Sequence, residues 1–186
     1  MHEAFEMVNW QKMFSRDYFR DSYFFTLGLA IGATFLCSVI AFPAAFALSF
    51  KVSANTRRWA LFFLIIPFFT SYLVRTFSWY VILAESGVVN SLLQFIGLGP
   101  FTMLNTVFGT MVGYLTLTLP LVIVLQTFSM SQIDKSYIEA AYNLGCGRIR
   151  TITSVIIPLA KTGLVIGAVF CFILAFGDFV SPYYLG

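Results

Sequence analysis

The stretch NTVFGTMVGYLTLTLPLVIVLQTFSM, residues 105–130, contains no charged side chain. A helix needs about 20 consecutive apolar residues to cross the hydrocarbon core of a bilayer, because each residue advances it by about 1.5 Å. The stretch is long enough, and its proline and glycines are tolerated in membrane helices. It therefore predicts a membrane-spanning helix, from which the rest of the chain can be interpreted.

The composition of the whole chain agrees with this prediction. Of 186 residues, 59% are hydrophobic and only 10% are charged, and the formal net charge is +3. Soluble domains carry about 25% charged residues. We therefore expect an integral membrane protein in contact with the lipid bilayer. The small, scattered net charge predicts no nucleic-acid partner.

Three other stretches are long and apolar enough to cross a membrane. Residues 23–50 contain no charge, residues 59–84 contain only Arg75, and residues 161–184 contain only Asp178 inside the stretch. The sequence thus predicts an all-α integral membrane protein with four transmembrane helices.

Lysine and arginine are concentrated in two of the segments between these spans. Residues 51–58 and 131–160 carry them, whereas residues 85–104 carry none. Because basic loops remain in the cytoplasm, we expect the first two segments inside the cell and the third outside. Apolar residues at helical spacing in the outer segment predict a short helix along the outer face. Both chain ends then fall outside.

Residues 1–22 are mixed, acidic and aromatic, and we interpret them as an outer interfacial segment ahead of a transmembrane domain at 23–184. Lys12, Arg16 and Arg20 oppose the export of this end of the chain. A further span before residue 1 would remove the conflict. The sequence therefore predicts a fragment of a longer membrane protein.

The polar segment 131–160 reads as a helix, a corner and a second, amphipathic helix. Ser136 and Glu139 are spaced as a capping box, although Asp134 is an alternative cap. Gly145 or Gly147 would end the first helix. The second helix is expected from about 148 to 157, where Pro158 ends or kinks it.

Two interpretations of this segment are open at this point. The small side chains of Ala140 and Ala141 would let another protein surface come close, which is typical of a docking element. Alternatively, Glu139 only caps its helix and Gly145 is an ordinary helix terminator.

The spacing of five residues in this segment resembles a known signature. Glu139-Ala140-Ala141, three residues, Gly145, nine residues and the run ending in Pro158 are similar to the EAA motif of ATP-binding-cassette (ABC) importer permeases, E-A-A-x3-G-x9-I-x-L-P. Val155 and Ile157 depart mildly from that pattern. The stretches PFFTSYLVRTFSWYVILAESGVVNSLL and FGDFVSPYYLG resemble the spermidine/putrescine branch of these permeases.

The resemblance implies a fragment of a six-span type I importer permease, whose EAA loop at 131–160 contains a cytoplasmic coupling helix. Glu139 would face an ATP-binding-cassette ATPase subunit, and Ala140 and Ala141 would permit close approach. Gly145 would shape the corner, and Pro158 would set the return to the membrane. This chain would bind no cofactor, because ATP is used by the partner ATPase.

The resemblance also implies the setting of the protein. It would be a multi-pass protein of the bacterial inner membrane, working with a second permease subunit (a sister chain or a copy of itself) and a periplasmic or extracellular substrate-binding protein. A polyamine is the expected cargo. Permeases for ferric iron, aminophosphonate or thiamine remain alternatives, as does a fragment of a secondary transporter or channel, which would need no docking helix.

Charged residues inside membrane spans are costly and often functional. Arg75 and Asp178 both fall near the outer edge of their predicted spans, where they would pair or line an outer gate, unless they only extend to the interface. Glu85, Trp79 and Tyr80 lie near the same mouth. Because cations are bound by carboxylates and aromatic faces, these five residues are the candidate translocation path.

The inventory of reactive residues argues against an enzyme. His2 is the only histidine, so the chain has no His-based catalytic triad or histidine-rich metal site, and no phosphate-binding G-x4-G-K-[ST] motif occurs. The cysteines Cys37, Cys146 and Cys171 are too scattered to predict a metal cluster. We predict no catalytic residues and no metal site.

Overall fold

The computed structural model describes residues 17–186, and side chains from residue 18 onward, so most of the predicted interfacial segment lies outside the described residues. Within this part every regular element is helical. The elements are α1 (Asp17–Phe50), α2 (Ala54–Ile65), a 3₁₀ turn (Ile66–Phe69), α3 (Tyr72–Leu83), α4 (Val88–Phe95), α5 (Val107–Ser131), α6 (Lys135–Asn143), α7 (Arg148–Thr151), a π turn (Ile152–Ile156), α8 (Ile157–Phe176) and α9 (Val180–Leu185).

Helices α1, α5 and α8 form the bundle, and their buried residues make three layers along its length. The middle layer contains Cys37, Val122 and Cys171, one from each helix. One outer layer contains Ala30, Ala33, Tyr114 and Ala175, and the opposite one contains Ala45, Met130, Ile156 and Ala160. We call the end of the bundle with Ala30 and Tyr114 the α9 end, and the end with Ala45 and Met130 the α6 end, because those short helices lie there. Since the numbering rises in the same direction in α1 and α5, these helices are parallel, and α8 is antiparallel to them.

The segment between α1 and α5 must return the chain across the bundle. Helix α1 finishes at the α6 end, whereas α5 begins at the α9 end. The intervening α2 and α3 make that return. Within residues 17–186, three helical segments qualify as membrane spans by length and composition (Tyr18–Phe50, Val107–Ser131 and Arg148–Phe176). The bent pair Ala54–Phe69 and Tyr72–Phe95 makes a fourth if it is counted as one span. The predicted class, an all-α integral membrane protein, is confirmed.

The predicted span 59–84 is bent rather than straight. The two halves of this region meet at an angle of 92°. Pro67 lies in the 3₁₀ turn at the bend, where it has no N–H to continue the helical hydrogen bonds. Its carbonyl oxygen instead accepts hydrogen bonds from the Thr70 backbone N–H at 3.3 Å and from the Thr70 hydroxyl at 2.7 Å. These bonds close the turn, and α3 then begins in a new direction.

The structure also differs from the predicted boundaries at both ends of α8. Pro158 neither ends nor sharply kinks its helix, because α7, the π turn and α8 follow one another without a break from Arg148 to Phe176. A π turn is wider than an α-helical turn, and this one lies where the proline would crowd the preceding carbonyls. At its other end α8 stops at Phe176, so the predicted span 161–184 is divided and Asp178 lies between α8 and α9.

Candidate functional sites at the two ends of the bundle

The N-terminus of helix α6 is capped by Asp134 and not by the predicted capping box. The Asp134 Oδ1 atom accepts a hydrogen bond from the backbone N–H of Ser136 at 2.9 Å. This bond lowers the pKa of Asp134, because it stabilises the ionised carboxylate. The alternative in which Glu139 serves only as a cap is therefore not the arrangement in the structure.

Glu139 is exposed on α6 and makes no hydrogen bond or ion pair within residues 18–186. The neighbouring Ala140 is also exposed, whereas Ala141 is buried, with 5% of its surface accessible. Ile138 packs against the core layer of the α6 end. Helix α6 is thus attached to the bundle through Ile138 and Ala141 and presents Glu139 and Ala140 outward. Both alanines were predicted to allow close approach of a partner, but only Ala140 is exposed at the surface.

The corner after α6 is built on Gly145, which has a φ of +80°. Its N–H donates to the Tyr142 carbonyl at 2.9 Å, and the N–H of Cys146 donates to the Ala141 carbonyl at 3.0 Å. This pair of bonds is a Schellman motif, which needs a residue in the left-handed region. Gly147 has a φ of −69° and precedes α7, so Gly145 and not Gly147 ends the helix. Arg148 and Arg150 are exposed just beyond this corner.

We expect Gly145→Ala to destabilise the protein by about 1 kcal/mol, because an L-residue in the left-handed region carries a cost of that order. No atom lies within 4 Å of the added Cβ, so the effect would come from the backbone alone. Gly147→Ala is the matched control and should cost less, because its φ is ordinary and its Cβ is also unobstructed, so that only its place as the N-cap of α7 is affected. Thermal unfolding in detergent measures both; equal effects would contradict the assignment of the corner.

At the α9 end, Arg75 and Asp178 do not form the direct pair that was one predicted alternative. Instead, Tyr72 lies between them. Its hydroxyl donates to the Asp178 Oδ2 atom and lies 2.6 Å from the Ser181 hydroxyl oxygen. The Arg75 guanidinium carbon is 5.7 Å from the centre of the Tyr72 ring, and its Nη1 donates to the Pro67 carbonyl at 3.2 Å. Arg75 and Asp178 therefore both contact Tyr72, Arg75 through the ring and Asp178 through the hydroxyl.

The other predicted path residues lie apart from this cluster. Tyr80 and Glu85 line one pocket of about 260 Å³ together with residues 102–105. Trp79 is half-buried and is not part of that lining. Sequence reasoning missed Tyr72 and Ser181, although a signal existed: each lies three residues from its charged neighbour, which places it on the same helical face or turn.

The segment 85–104, which carries no lysine or arginine, folds back on itself through Asn90. The side-chain amide of this fully buried residue donates to the carbonyls of Ala84 at 3.1 Å and Phe101 at 2.9 Å, and it accepts from the Phe101 N–H at 2.8 Å. Gly97, with a φ of +80°, ends α4. The predicted short helix is therefore present as Val88–Phe95.

Among the described residues, three or four apolar spans are combined with a polar helix and a glycine corner ahead of the last span, the arrangement expected of a membrane permease. The match to a family model agrees: residues 37–186 match the binding-protein-dependent transport system inner membrane component, and the chain belongs to that family. The resemblance to ABC-importer permeases is confirmed.

Individual relatives are similar over most of this chain. It is 28% identical over 174 residues to the inner membrane ABC transporter permease protein YdcU of Escherichia coli K12, covering 87% of this chain and 56% of that protein. It is 29% identical over 178 residues to the spermidine/putrescine transport system permease protein PotB of the same organism, covering 95% and 64%. A putative 2-aminoethylphosphonate transport system permease protein, PhnU of Salmonella typhimurium LT2, is 32% identical over 124 residues, covering 67% and 43%. The chain thus spans less than two thirds of the length of these relatives.

Proposed function

We propose that this chain belongs to the permease subunit of an ATP-binding-cassette importer in the bacterial inner membrane. The observation that carries the proposal is the exposed face of α6. It presents a carboxylate that has no partner among residues 18–186, and a small alanine, on a helix fixed by a capped start and a glycine corner. An ionised side chain left unpaired in this way is suited to a partner that supplies the opposite charge.

The partner at this face would be an ATPase subunit, since α6 carries the EAA pattern of the family. Closure of the ATPase pair on ATP would push α6, and the α6 end of the bundle would move with it because Ile138 and Ala141 pack into that end. In this proposal ATP is bound and hydrolysed by that partner subunit. A second permease subunit and a substrate-binding protein complete the proposed complex.

For the cargo, we propose a polyamine. The likeness to PotB extends over 95% of this chain, and the α9 end offers the carboxylate of Asp178 beside an aromatic ring. A 2-aminoethylphosphonate is the second candidate. The likeness to PhnU supports it, as does Arg75, whose buried Nε atom has no partner and which could attract a phosphonate.

The test is uptake of labelled spermidine, putrescine and 2-aminoethylphosphonate by cells that express the full-length gene with its partner subunits. Energy-depleted cells and cells without the ATPase gene are the controls. Polyamine uptake that disappears in both controls supports the proposal. Uptake of the phosphonate alone would change the cargo, and uptake that persists without the ATPase would favour a secondary transporter or channel.

A further inference from the structure

Asp178 holds an anionic charge with no cationic partner at the α9 end. Its carboxylate accepts hydrogen bonds from the Val180 N–H at 2.8 Å, from the Ser181 N–H at 3.4 Å and from the Tyr72 hydroxyl. No lysine or arginine among residues 18–186 pairs with it. The side chain is half-buried, so it remains accessible to a ligand.

The nearest cation of this cluster is engaged elsewhere. Arg75 lies over the ring of Tyr72, and its hydrogen bond goes to the Pro67 carbonyl rather than to a carboxylate. Its Nε atom is buried without a partner. A positive and a negative charge are therefore held on either side of one tyrosine, and neither is neutralised by the other.

These groups match what an alkylammonium ion needs. A carboxylate forms charge-assisted hydrogen bonds, which are roughly twice as strong as neutral ones. The Ser181 hydroxyl adds an acceptor 2.6 Å from the Tyr72 hydroxyl, and the tyrosine ring already accommodates one cation on its face. In the structure the neutral Tyr72 hydroxyl holds the place on Asp178 that an ammonium group would take more favourably.

We propose that Asp178, Ser181 and Tyr72 form a binding site for a primary ammonium group, and that the ammonium displaces the Tyr72 hydroxyl from Asp178. This inference rests on the proposed polyamine cargo and names the site at which one end of it binds. Since Tyr72 belongs to α3 and the other two residues lie at α9, the displacement also breaks the Tyr72–Asp178 hydrogen bond that links α3 to the start of α9. Binding would then loosen the outer part of the bundle.

A simpler role for Asp178 makes a different prediction. Its bonds to the Val180 and Ser181 N–H groups are those of a helix cap. Asparagine caps as well as aspartate does. If capping were its only role, Asp178→Asn would therefore be harmless, whereas an ammonium site loses its counter-charge.

The experiment uses the full-length permease assembled with its ATPase, second permease and binding protein in proteoliposomes, with labelled putrescine and spermidine as probes. We expect Asp178→Asn to raise KM by about tenfold to a hundredfold. This is the loss of affinity that corresponds to the free energy of one hydrogen bond to a charged group. Asp178→Glu should recover most of this loss. Tyr72→Phe should lower KM, because it keeps the ring and removes the hydroxyl that competes with the ammonium group for Asp178. Ser78→Ala, on the same helix but outside the cluster, should behave as wild type.

The outcomes separate this inference from the proposed function. Wild-type polyamine transport with an unchanged KM in Asp178→Asn would overturn the ammonium site alone. Equal losses in Asp178→Asn and Asp178→Glu, with kcat falling and KM unchanged, would also overturn it and assign Asp178 a structural role. No polyamine transport by the wild-type complex would overturn the proposed cargo, and this inference with it.

Discussion

Glu139→Gln is expected to reduce ATP-driven uptake by about tenfold to a hundredfold while leaving the amount of folded permease in the membrane unchanged. The substitution keeps the shape of the side chain and removes its charge. Because Glu139 is exposed and makes no hydrogen bond or ion pair with another described residue, the fold should lose little, and surface changes of this kind alter stability by less than about 0.5 kcal/mol. The loss would instead come from a charged hydrogen bond to the ATPase, which contributes about 1.5–3 kcal/mol.

Two matched variants make this result specific. Glu139→Asp keeps the charge on a shorter side chain and should retain a substantial part of the uptake. Glu85→Gln makes the same chemical change at an exposed glutamate of the α9 end, and it should not uncouple ATP hydrolysis from transport. If Glu139→Gln transported at the wild-type rate, the exposed carboxylate would have no part in coupling.

Gly163→Ala is expected to destabilise the bundle strongly. A Cβ at this position would overlap the side chain of Ser129 on α5, whose hydroxyl donates to the Ala160 carbonyl at 3.1 Å. Helices α5 and α8 would have to separate at this crossing, and overpacking of this kind costs about 1–3 kcal/mol. We expect a lower unfolding temperature in detergent and less permease in the membrane.

The same helix provides the control one turn later. A Cβ at Gly167 would meet its neighbours at 3.7–3.9 Å, which is ordinary van der Waals contact, so Gly167→Ala should be close to neutral. A volume swap is the stricter test: combining Gly163→Ala with Ser129→Gly removes the obstructing side chain and should restore most of the stability. A double variant as unstable as Gly163→Ala alone would show that the crossing is not the cause.

Patterns of charge and hydropathy were sufficient to predict the membrane class and the approximate positions of the spans. Hydropathy could not predict the 92° bend of the second span, because Pro67 has the same apolar character whether a helix kinks or stops there. Nor could it place the end of α8 at Phe176, since the residues after the break are again apolar. Such breaks depend on which backbone groups find partners in three dimensions.

The two candidate sites differed in how far the sequence could define them. The EAA spacing is local, so the α6 corner followed from it, and only the choice between Asp134 and Glu139 as cap needed the structure. The predicted pairing of Arg75 with Asp178 rested only on two isolated charges that are far apart in the sequence. The position of Tyr72 between them depends on how α3 packs against α9. The three-residue spacing of Tyr72 from Arg75 marks them as neighbours on one helix, but it could not show that this helix meets α9.

The most direct test of the account is a photo-cross-link from α6 to the ATPase in the assembled transporter. Benzoylphenylalanine would be placed at Ala140, which is exposed beside Glu139, and in a second sample at Glu85, which is exposed at the α9 end. The account predicts a permease–ATPase adduct from position 140 and none from position 85. An adduct from position 85, or none from position 140 in a complex that still transports, would contradict it.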